Sequence, residues 1–191
     1  MYLEEIDRHL SVSSIPELEK SLKRDKGFWN IVSIREPNVR KPEFLCQARS
    51  YVEILCEDTE RDDPEHSARP PRAEDASTIF EFLDRHPEEP VMVHCFAGLS
   101  RSTAVALAII VKALMQRKAN PADLQTLIPS AVDLLVRLRP QARPNLLFLR
   151  LYLENFLPAD QAERLASALI NHPVLLANRS EKPRPRHLEH D

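Results

Sequence analysis

Short apolar runs of strand length occur three times in the first half of the chain, at residues 28–34, 51–56 and 91–95. The first is rich in apolar and β-branched residues, the second alternates apolar and polar positions, and the third opens with Val-Met-Val. Runs of this length and composition are typical of β-strands. The pattern therefore predicts strands over these segments.

Between and after these strands, apolar residues recur at the spacing of amphipathic or buried helices. Residues 73–86 place four apolar side chains on one face, and residues 102–116 are mostly apolar. Asn145 is placed to cap a helix, and Asn120 to cap another whose course Pro129 is expected to interrupt. Further helices are predicted at residues 15–24, 131–138, 146–157 and 159–171.

The alternation of strands and helices predicts an α/β fold, in which a small, mostly parallel central sheet is covered by helices on both faces. A chain of 191 residues is expected to form one such domain, over residues 1–172. Within it, the charged and proline-rich residues 59–75 are expected to form an insert that acts as a lid. Residues 173–191 mix charges with prolines, which predicts a flexible tail.

The richest candidate chemistry lies at residues 94–102, His-Cys-Phe-Ala-Gly-Leu-Ser-Arg-Ser, between the third strand and the helix predicted after it. The N–H groups of such a loop and of the first helical turn converge on one point and favour an anion there. Cys95 is a candidate nucleophile, and Arg101 can hold two oxygens of a phosphate at once. Gly98, one of only two glycines, suits a loop position that needs a positive φ.

Three further side chains of this loop are expected to assist the cysteine. The loop amides, the helix N-terminus and Arg101 favour the thiolate form of Cys95. The hydroxyl groups of Ser100 and Ser102 are candidates to steady the sulfur, first as nucleophile and later as leaving group. His94 is expected to support the loop by donating a ring N–H to a backbone carbonyl. The alternative is a buried cysteine and an arginine brought together by coincidence.

The spacing His94-Cys95-x-x-Gly98-x-x-Arg101-Ser102 resembles the phosphate-binding loop of the cysteine-dependent protein tyrosine phosphatases, most of all their compact dual-specificity branch, including its bacterial members. The resemblance runs from about residue 28 to residue 157, and only the loop is highly specific. Residues 137–145 show a weaker match to a late turn of that family. The resemblance implies a phosphomonoester hydrolase with a cysteinyl-phosphate intermediate and no metal or organic cofactor. The implied phosphate-binding residues are Phe96, Ala97, Gly98, Leu99, Ser100 and Arg101.

The family's mechanism also implies an aspartic acid on a loop after an earlier strand, which protonates the departing oxygen. Asp58 follows the strand predicted at 51–56 and is the first candidate for this general acid, and for the general base when water attacks the intermediate. Asp62 and Asp63 are its rivals within the insert. The alternative for all three is an ordinary solvated loop carboxylate.

Composition narrows the remaining function classes. A net charge of −3 provides no basic field for nucleic acid, and the apolar run after the loop is interrupted by Lys112 and too short to span a bilayer. Early acidic residues speak against a secretion leader. Three cysteines without paired spacing favour neither a disulfide framework nor a zinc site, so a reducing cytoplasm is expected.

The variable loop positions Phe96, Ala97 and Leu99 are not basic, which favours a phosphorylated protein or a small aromatic phosphomonoester, phosphotyrosine first, over a polyphosphate. Arg69 and Arg72 of the insert are candidates to supply extra positive charge. Two other function classes stay open. One is a binding module that keeps the phosphate cradle without turnover, and the other is rhodanese-like or arsenate-reductase thiol chemistry.

Arsenate reduction needs a resolving thiol, and Cys56 is the candidate because its strand is predicted to neighbour the strand that ends at Cys95. The same proximity suggests a reversible protective disulfide between the two cysteines. The alternative is a buried structural cysteine.

Overall fold

The computed structural model describes residues 1–60, 69–117 and 124–180. The strands are β1 Tyr2–Leu3, β2 Arg8–Ser13, β3 Asn30–Arg35, β4 Ser50–Leu55 and β5 Val91–His94. The α-helices are α1 Ile15–Arg24, α2 Ala73–Asp84, α3 Arg101–Arg117, α4 Ile128–Leu138, α5 Leu146–Leu153, α6 Ala159–Ile170 and α7 Pro173–Ser180. Short 3₁₀ helices cover Glu43–Gln47 and Leu124–Leu127.

The five strands form one sheet in the order β1-β2-β5-β3-β4, in which only the β1–β2 pair is antiparallel. At the carboxyl edge, His94 of β5 lies opposite Ser13 of β2 on one side and Ser33 of β3 on the other. The loop that follows β5 therefore leaves the sheet between two parallel neighbours. This is where open α/β sheets bind ligands.

Both faces of the sheet are covered, which confirms the predicted architecture. On one face, Ile31 of β3 and Met92 of β5 pack against Leu18 and Leu22 of α1. On the other face, the alternate strand residues join a larger core built from helices α2 to α6. The side chains alternate because successive residues of a strand point to opposite faces. Helix α3 is the most buried of these helices, with every side chain from Arg101 to Val111 buried.

The sequence pattern missed β1 and β2. Strand β2 reads Arg-His-Leu-Ser-Val-Ser, and its polar residues hide the strand until its place beside β5 is known. The side chain of Arg8, for example, donates a hydrogen bond to the carbonyl oxygen of Glu89 at 3.1 Å. Tertiary pairing overrides weak local propensity here.

Two helix predictions also need correction. Pro129 lies in the first turn of α4 and opens this helix, because a first-turn residue has no intrahelical use for its N–H. The predicted cap at Asn120 lies outside the described residues. The predicted helix over residues 146–157 ends at Leu153, although Asn145 caps its start as expected by accepting from the N–H of Phe148 at 2.9 Å.

Residues 173–180, predicted to belong to a flexible tail, form helix α7 instead. Leu175, in the short apolar run Pro-Val-Leu-Leu, is fully buried in the larger core. The burial of this side chain favours a helix packed on the domain over a flexible tail. Asn178 and Arg179 then donate hydrogen bonds to carbonyl oxygens of residues 140–144. Residues 181–191 lie outside the described part of the chain.

The sheet order corrects the expected neighbourhood of Cys56. Strand β3 lies between β4, which precedes Cys56, and β5, which precedes Cys95. The two cysteines therefore do not follow adjacent strands.

None of the helices that the described residues form combines the length and apolar character that a bilayer span requires.

Candidate active site

The loop between β5 and α3 is held by hydrogen bonds to its carbonyl oxygens. The oxygen of Phe96 accepts from the N–H of Ile15 at 3.3 Å, and the oxygen of Leu99 accepts from the N–H of Arg143 at 2.7 Å. The carbonyl and N–H of a peptide unit point in opposite directions, so these two outward carbonyls turn the N–H groups of Ala97 and Ser100 toward the space that the loop encloses. Together with the N-terminus of α3, this arrangement can hold an anion.

Gly98 is required by two independent features of this loop. Its φ is +69°, a left-handed conformation that residues with a Cβ adopt at a cost. A Cβ at this position would lie 2.6 Å from the carbonyl carbon of Ser13 and 2.7 Å from the nitrogen of Ser14. Both atoms are backbone, so they cannot rotate away. The end of β2 and the phosphate loop therefore pack directly on each other.

The substitution Gly98→Ala is expected to destabilise the protein by about 1–3 kcal/mol more than Gly27→Ala. Gly27 is a matched control because its φ is +68° and nothing lies within 4 Å of an added Cβ. Both variants therefore incur the cost of a left-handed alanine, and only Gly98→Ala adds a clash with backbone. Urea unfolding of the two variants measures the difference, and equal losses of stability would contradict the proposed close packing.

Cys95 is buried, with only 1% of its surface exposed. Its sulfur lies 3.1 Å from the hydroxyl oxygen of Ser102, as the sequence predicted for this serine. Cys95 lines a cavity of about 270 Å³. The other residues that line this cavity come from four separate segments of the chain: Glu36, Asp58, Phe96, Ala97, Leu99, Ser100, Arg101 and Arg143.

Arg101 is 2% exposed and is fixed by partners on two other loops. Its Nη1 donates to the carbonyl oxygen of Cys56 at 2.6 Å, and its Nη2 forms an ion pair with Glu36. Burial alone would lower the pKa of Arg101, but the electrostatic interactions with Cys95, Glu36 and Asp58 outweigh it and raise that pKa. Arg101 is therefore a permanent cation with a fixed orientation.

Sequence reasoning missed Glu36. It follows β3 directly, and only the order of the strands shows that this position lies beside the loop after β5. A carboxylate at the carboxyl end of a strand was the available signal. When the strand next to β3 is not known, however, such a carboxylate cannot be distinguished from those of many surface loops.

Asp58, the first candidate for the general acid, lines the cavity with Cys95. One of its carboxylate oxygens accepts from the hydroxyl of Ser100 at 2.7 Å and from the side-chain amide of Asn145 at 3.2 Å. Ser100 therefore holds Asp58, where the sequence had suggested a contact with the sulfur. The rival candidates Asp62 and Asp63 lie outside the described residues.

His94 joins β5 to β3, because its Nε2 pairs with the hydroxyl of Ser33 at 2.8 Å. A hydrogen bond with the backbone of Cys95, the first residue of the loop, opposes in part the effect of burial on the pKa of the His94 ring. The ring is fully buried, and this burial lowers the pKa of His94 to about 4, so the ring is neutral near pH 7. A neutral ring next to Arg101 ties β5 to β3 without adding a second charge.

Residues 137–145, which showed only a weak resemblance to a late turn of the family, do contribute to the site. Arg143 lines the cavity, Asn145 contacts Asp58, and Arg139 donates to the carbonyl oxygen of Ala97 at 3.0 Å. The arginines of the insert are placed elsewhere. Arg69 pairs with Asp75 at 2.8 Å, and neither Arg69 nor Arg72 lines the cavity.

No family model matches the sequence, and no curated protein is significantly similar to it. Solved structures with the same fold are nevertheless found at low sequence identity. The Yvh1 phosphatase domain from Chaetomium thermophilum is 20% identical, with 76% of this chain and 88% of that chain covered and a TM-score of 0.52. OH1 from the Orf virus, a tyrosine phosphatase, is 19% identical, with coverages of 86% and 82% and a TM-score of 0.52. Tk-PTP in its active form is 21% identical, with coverages of 80% and 95% and a TM-score of 0.50.

Proposed function

We propose that this chain, which has the fold of the protein tyrosine and dual-specificity phosphatases, hydrolyses phosphomonoesters through a cysteinyl-phosphate intermediate. One observation supports this most directly. A buried cysteine, a fixed arginine and an aspartate line a single cavity at the N-terminus of a buried helix. These are a nucleophile, a phosphate ligand and a proton donor, which are the groups that the reaction needs.

Binding of the substrate phosphate uses the loop and Arg101. The N–H groups of residues 96–101 and the positive end of the α3 dipole face the phosphate oxygens. The Nε of Arg101 is buried and has no hydrogen-bond partner among the described residues, so it is available to a phosphate oxygen. Glu36 holds the guanidinium in place while it does so, which makes Glu36 a positioning residue.

In the first chemical step, the thiolate of Cys95 attacks phosphorus. The S–P bond forms as the P–O bond to the leaving group breaks, and the protonated carboxyl of Asp58 transfers its proton to the departing oxygen. The extra charge that develops on the three remaining phosphate oxygens is stabilised by the loop N–H groups and Arg101.

In the second step, water attacks the phosphorus of the intermediate, and the Asp58 carboxylate accepts the water proton. The S–P bond breaks and its electron pair returns to the sulfur of Cys95. The hydroxyl of Ser102, 3.1 Å from this sulfur, donates a hydrogen bond that stabilises the departing thiolate. Inorganic phosphate leaves, and the thiolate and the Asp58 proton are both restored.

The proposed substrates are phosphorylated protein side chains or small aromatic phosphomonoesters. Phe96 is 47% exposed and lies where the catalytic cavity meets a second one of about 420 Å³, which shares Phe96, Ala97 and Leu99 with it. An exposed ring at this junction offers a surface for an aromatic leaving group. All three cysteines are free, which suits the cytoplasm as the proposed location.

Arsenate reduction and protective disulfide formation both need Cys56 as a reactive thiol. Burial raises the pKa of Cys56 to about 12, so this thiol is protonated at neutral pH. Strand β3 separates its strand from β5, as described above. The geometry therefore favours the structural alternative for Cys56, whose carbonyl oxygen orients Arg101.

The intermediate itself is the direct test. Rapid mixing with phenyl phosphate, followed by quenching and peptide mass spectrometry, is expected to add one phosphoryl group to the peptide that contains Cys95. The peptides with Cys46 and Cys56 serve as internal controls and are expected to stay unmodified. Phosphate release without a labelled Cys95 peptide, or labelling of another residue, would contradict the proposed mechanism.

A further inference from the structure

Arg143 is a second cation in the wall of the catalytic cavity. It lines the same space as Cys95 and Arg101, although it lies on the turn between α4 and α5. The sequence pattern gave no reason to separate it from its neighbour Arg139 on the same turn.

The side chains of the two arginines of this turn differ in their ion pairs and hydrogen bonds. Arg139 forms an ion pair with Glu17 at 2.9 Å and donates to the carbonyl oxygen of Ala97. Arg143 forms no ion pair within residues 1–60, 69–117 and 124–180, and its Nε is buried without a hydrogen-bond partner. A buried N–H that lacks a partner costs free energy, so native structures rarely keep one without a use. The side chain of Arg139 therefore has a structural role, whereas the side chain of Arg143 is available to bind a ligand.

The backbone around Arg143 is anchored on both sides. Its own N–H donates to the carbonyl oxygen of Leu99 at 2.7 Å, which joins the turn to the phosphate loop. From α7, Asn178 donates to the carbonyl oxygen of Ala142 at 3.0 Å, and Arg179 donates to that of Pro144 at 2.6 Å. Anchors of this kind place a side chain reproducibly at a site, which a binding residue requires.

The charges in the cavity leave Arg143 available for an anion other than the hydrolysed phosphate. Arg101 is buried and paired with Glu36, and together with the loop N–H groups it accounts for the phosphate at Cys95. The charge of Arg143 has no such match among the described residues. A guanidinium binds a carboxylate or a phosphate in a bidentate manner.

We infer that Arg143 is a specificity-determining residue, which selects phosphomonoesters that carry a second anionic group, a carboxylate or another phosphate, next to the phosphate that is hydrolysed. This inference rests on the proposed phosphatase function and narrows its substrate class. It also modifies the expectation from the uncharged loop positions, because the additional positive charge comes from a turn far away in the sequence.

The test compares substrates that differ only in the second charge. The probes are 3-carboxyphenyl phosphate, 1,3-phenylene bisphosphate and the neutral reference 3-carbamoylphenyl phosphate. For the unmodified protein, kcat/KM is expected to be about tenfold higher for at least one anionic probe than for the reference, since a guanidinium binds an anionic group more strongly than a neutral amide. The two anionic probes distinguish a carboxylate from a phosphate as the preferred group.

In Arg143→Gln, this ratio is expected to fall to about one, and Arg143→Lys is expected to retain part of it. The ratio is the informative quantity because a general loss of activity affects every probe equally. Arg164→Gln is the matched control, since Arg164 lies exposed on α6 and, among the described residues, pairs only with Asp160 in the same helix, at 2.8 Å. It is expected to keep the full ratio.

The outcomes separate the two proposals. Turnover of all three probes with no preference, or a preference that Arg143→Gln leaves intact, overturns the role of Arg143 while the phosphatase function stands. Absence of turnover with every probe contradicts the phosphatase function itself.

Discussion

Replacing Cys95 with serine is expected to abolish turnover of aryl phosphates, with kcat reduced by at least about 10⁴-fold. A hydroxyl is not ionised at neutral pH, so the variant lacks the nucleophile, although serine fills nearly the same volume. The loop N–H groups and Arg101 are unchanged, and the variant is therefore expected to still bind a phosphotyrosine peptide. Phosphate release and peptide binding by fluorescence anisotropy measure the two properties separately.

Cys46→Ser is the matched control for this substitution. Cys46 is exposed in the short helix Glu43–Gln47, on the face of the sheet opposite the main core, and its loss is expected to leave kcat within about twofold. Substantial turnover by Cys95→Ser would contradict the assignment of the nucleophile. Binding without turnover by the unmodified protein would favour the alternative of a phosphate-binding module.

Asp58→Asn is expected to lower kcat/KM for phenyl phosphate by about 10²–10³-fold, because general acid catalysis contributes in this range. For 4-nitrophenyl phosphate, whose leaving group needs no proton, the same variant is expected to lose less than about tenfold. Asparagine keeps an oxygen that can accept from Ser100 and Asn145, so the substitution removes the proton and preserves the contacts. The parameter kcat/KM is the appropriate one because it reports the first chemical step, before Asp58 acts as base.

Asp62→Asn and Asp63→Asn are the controls, since both residues carry carboxylates and lie within the insert of residues 59–75, which begins directly after Asp58. Each is expected to behave like the unmodified protein with both substrates. A loss that depends on the leaving group in one of them, together with full activity of Asp58→Asn, would move the general acid to that residue. A loss in Asp58→Asn that is equal for the two substrates would indicate a structural role.

The sequence predicts best those features whose causes are local. Helix α1 has the predicted bounds 15–24, and the structure shows that its start is fixed locally, by a capping box of Ser14 and Glu17 and a first-turn proline. The phosphate loop is equally local, since a strand, a glycine with positive φ and a helix N-terminus follow one another within a few residues. Its chemistry could therefore be proposed from the residues themselves.

The features that were missed depend on which segments lie side by side. The role of Glu36 requires that β3 is the neighbour of β5, and the place of Arg143 in the cavity wall requires that the turn after α4 packs on the loop after β5. Ser100 was assigned to the sulfur because the distance from Asp58 to the loop is not visible in the sequence. Helix α7 was missed because the core residues that surround Leu175 lie far from it in the sequence and meet it only in the folded domain.

Strand β5 enters the sheet between β2 and β3, two strands that come much earlier in the chain. Until β5 is inserted, β2 and β3 each expose an unpaired edge on the side where β5 will pair with them. Pairings between segments distant in the sequence form slowly compared with helices. The cavity also needs Arg143, which follows β5 by a further two helices, so it is complete only when nearly the whole domain has assembled. The proposed oxyanion site is thus complete only in the fully folded domain, whereas helices can form before the domain is complete.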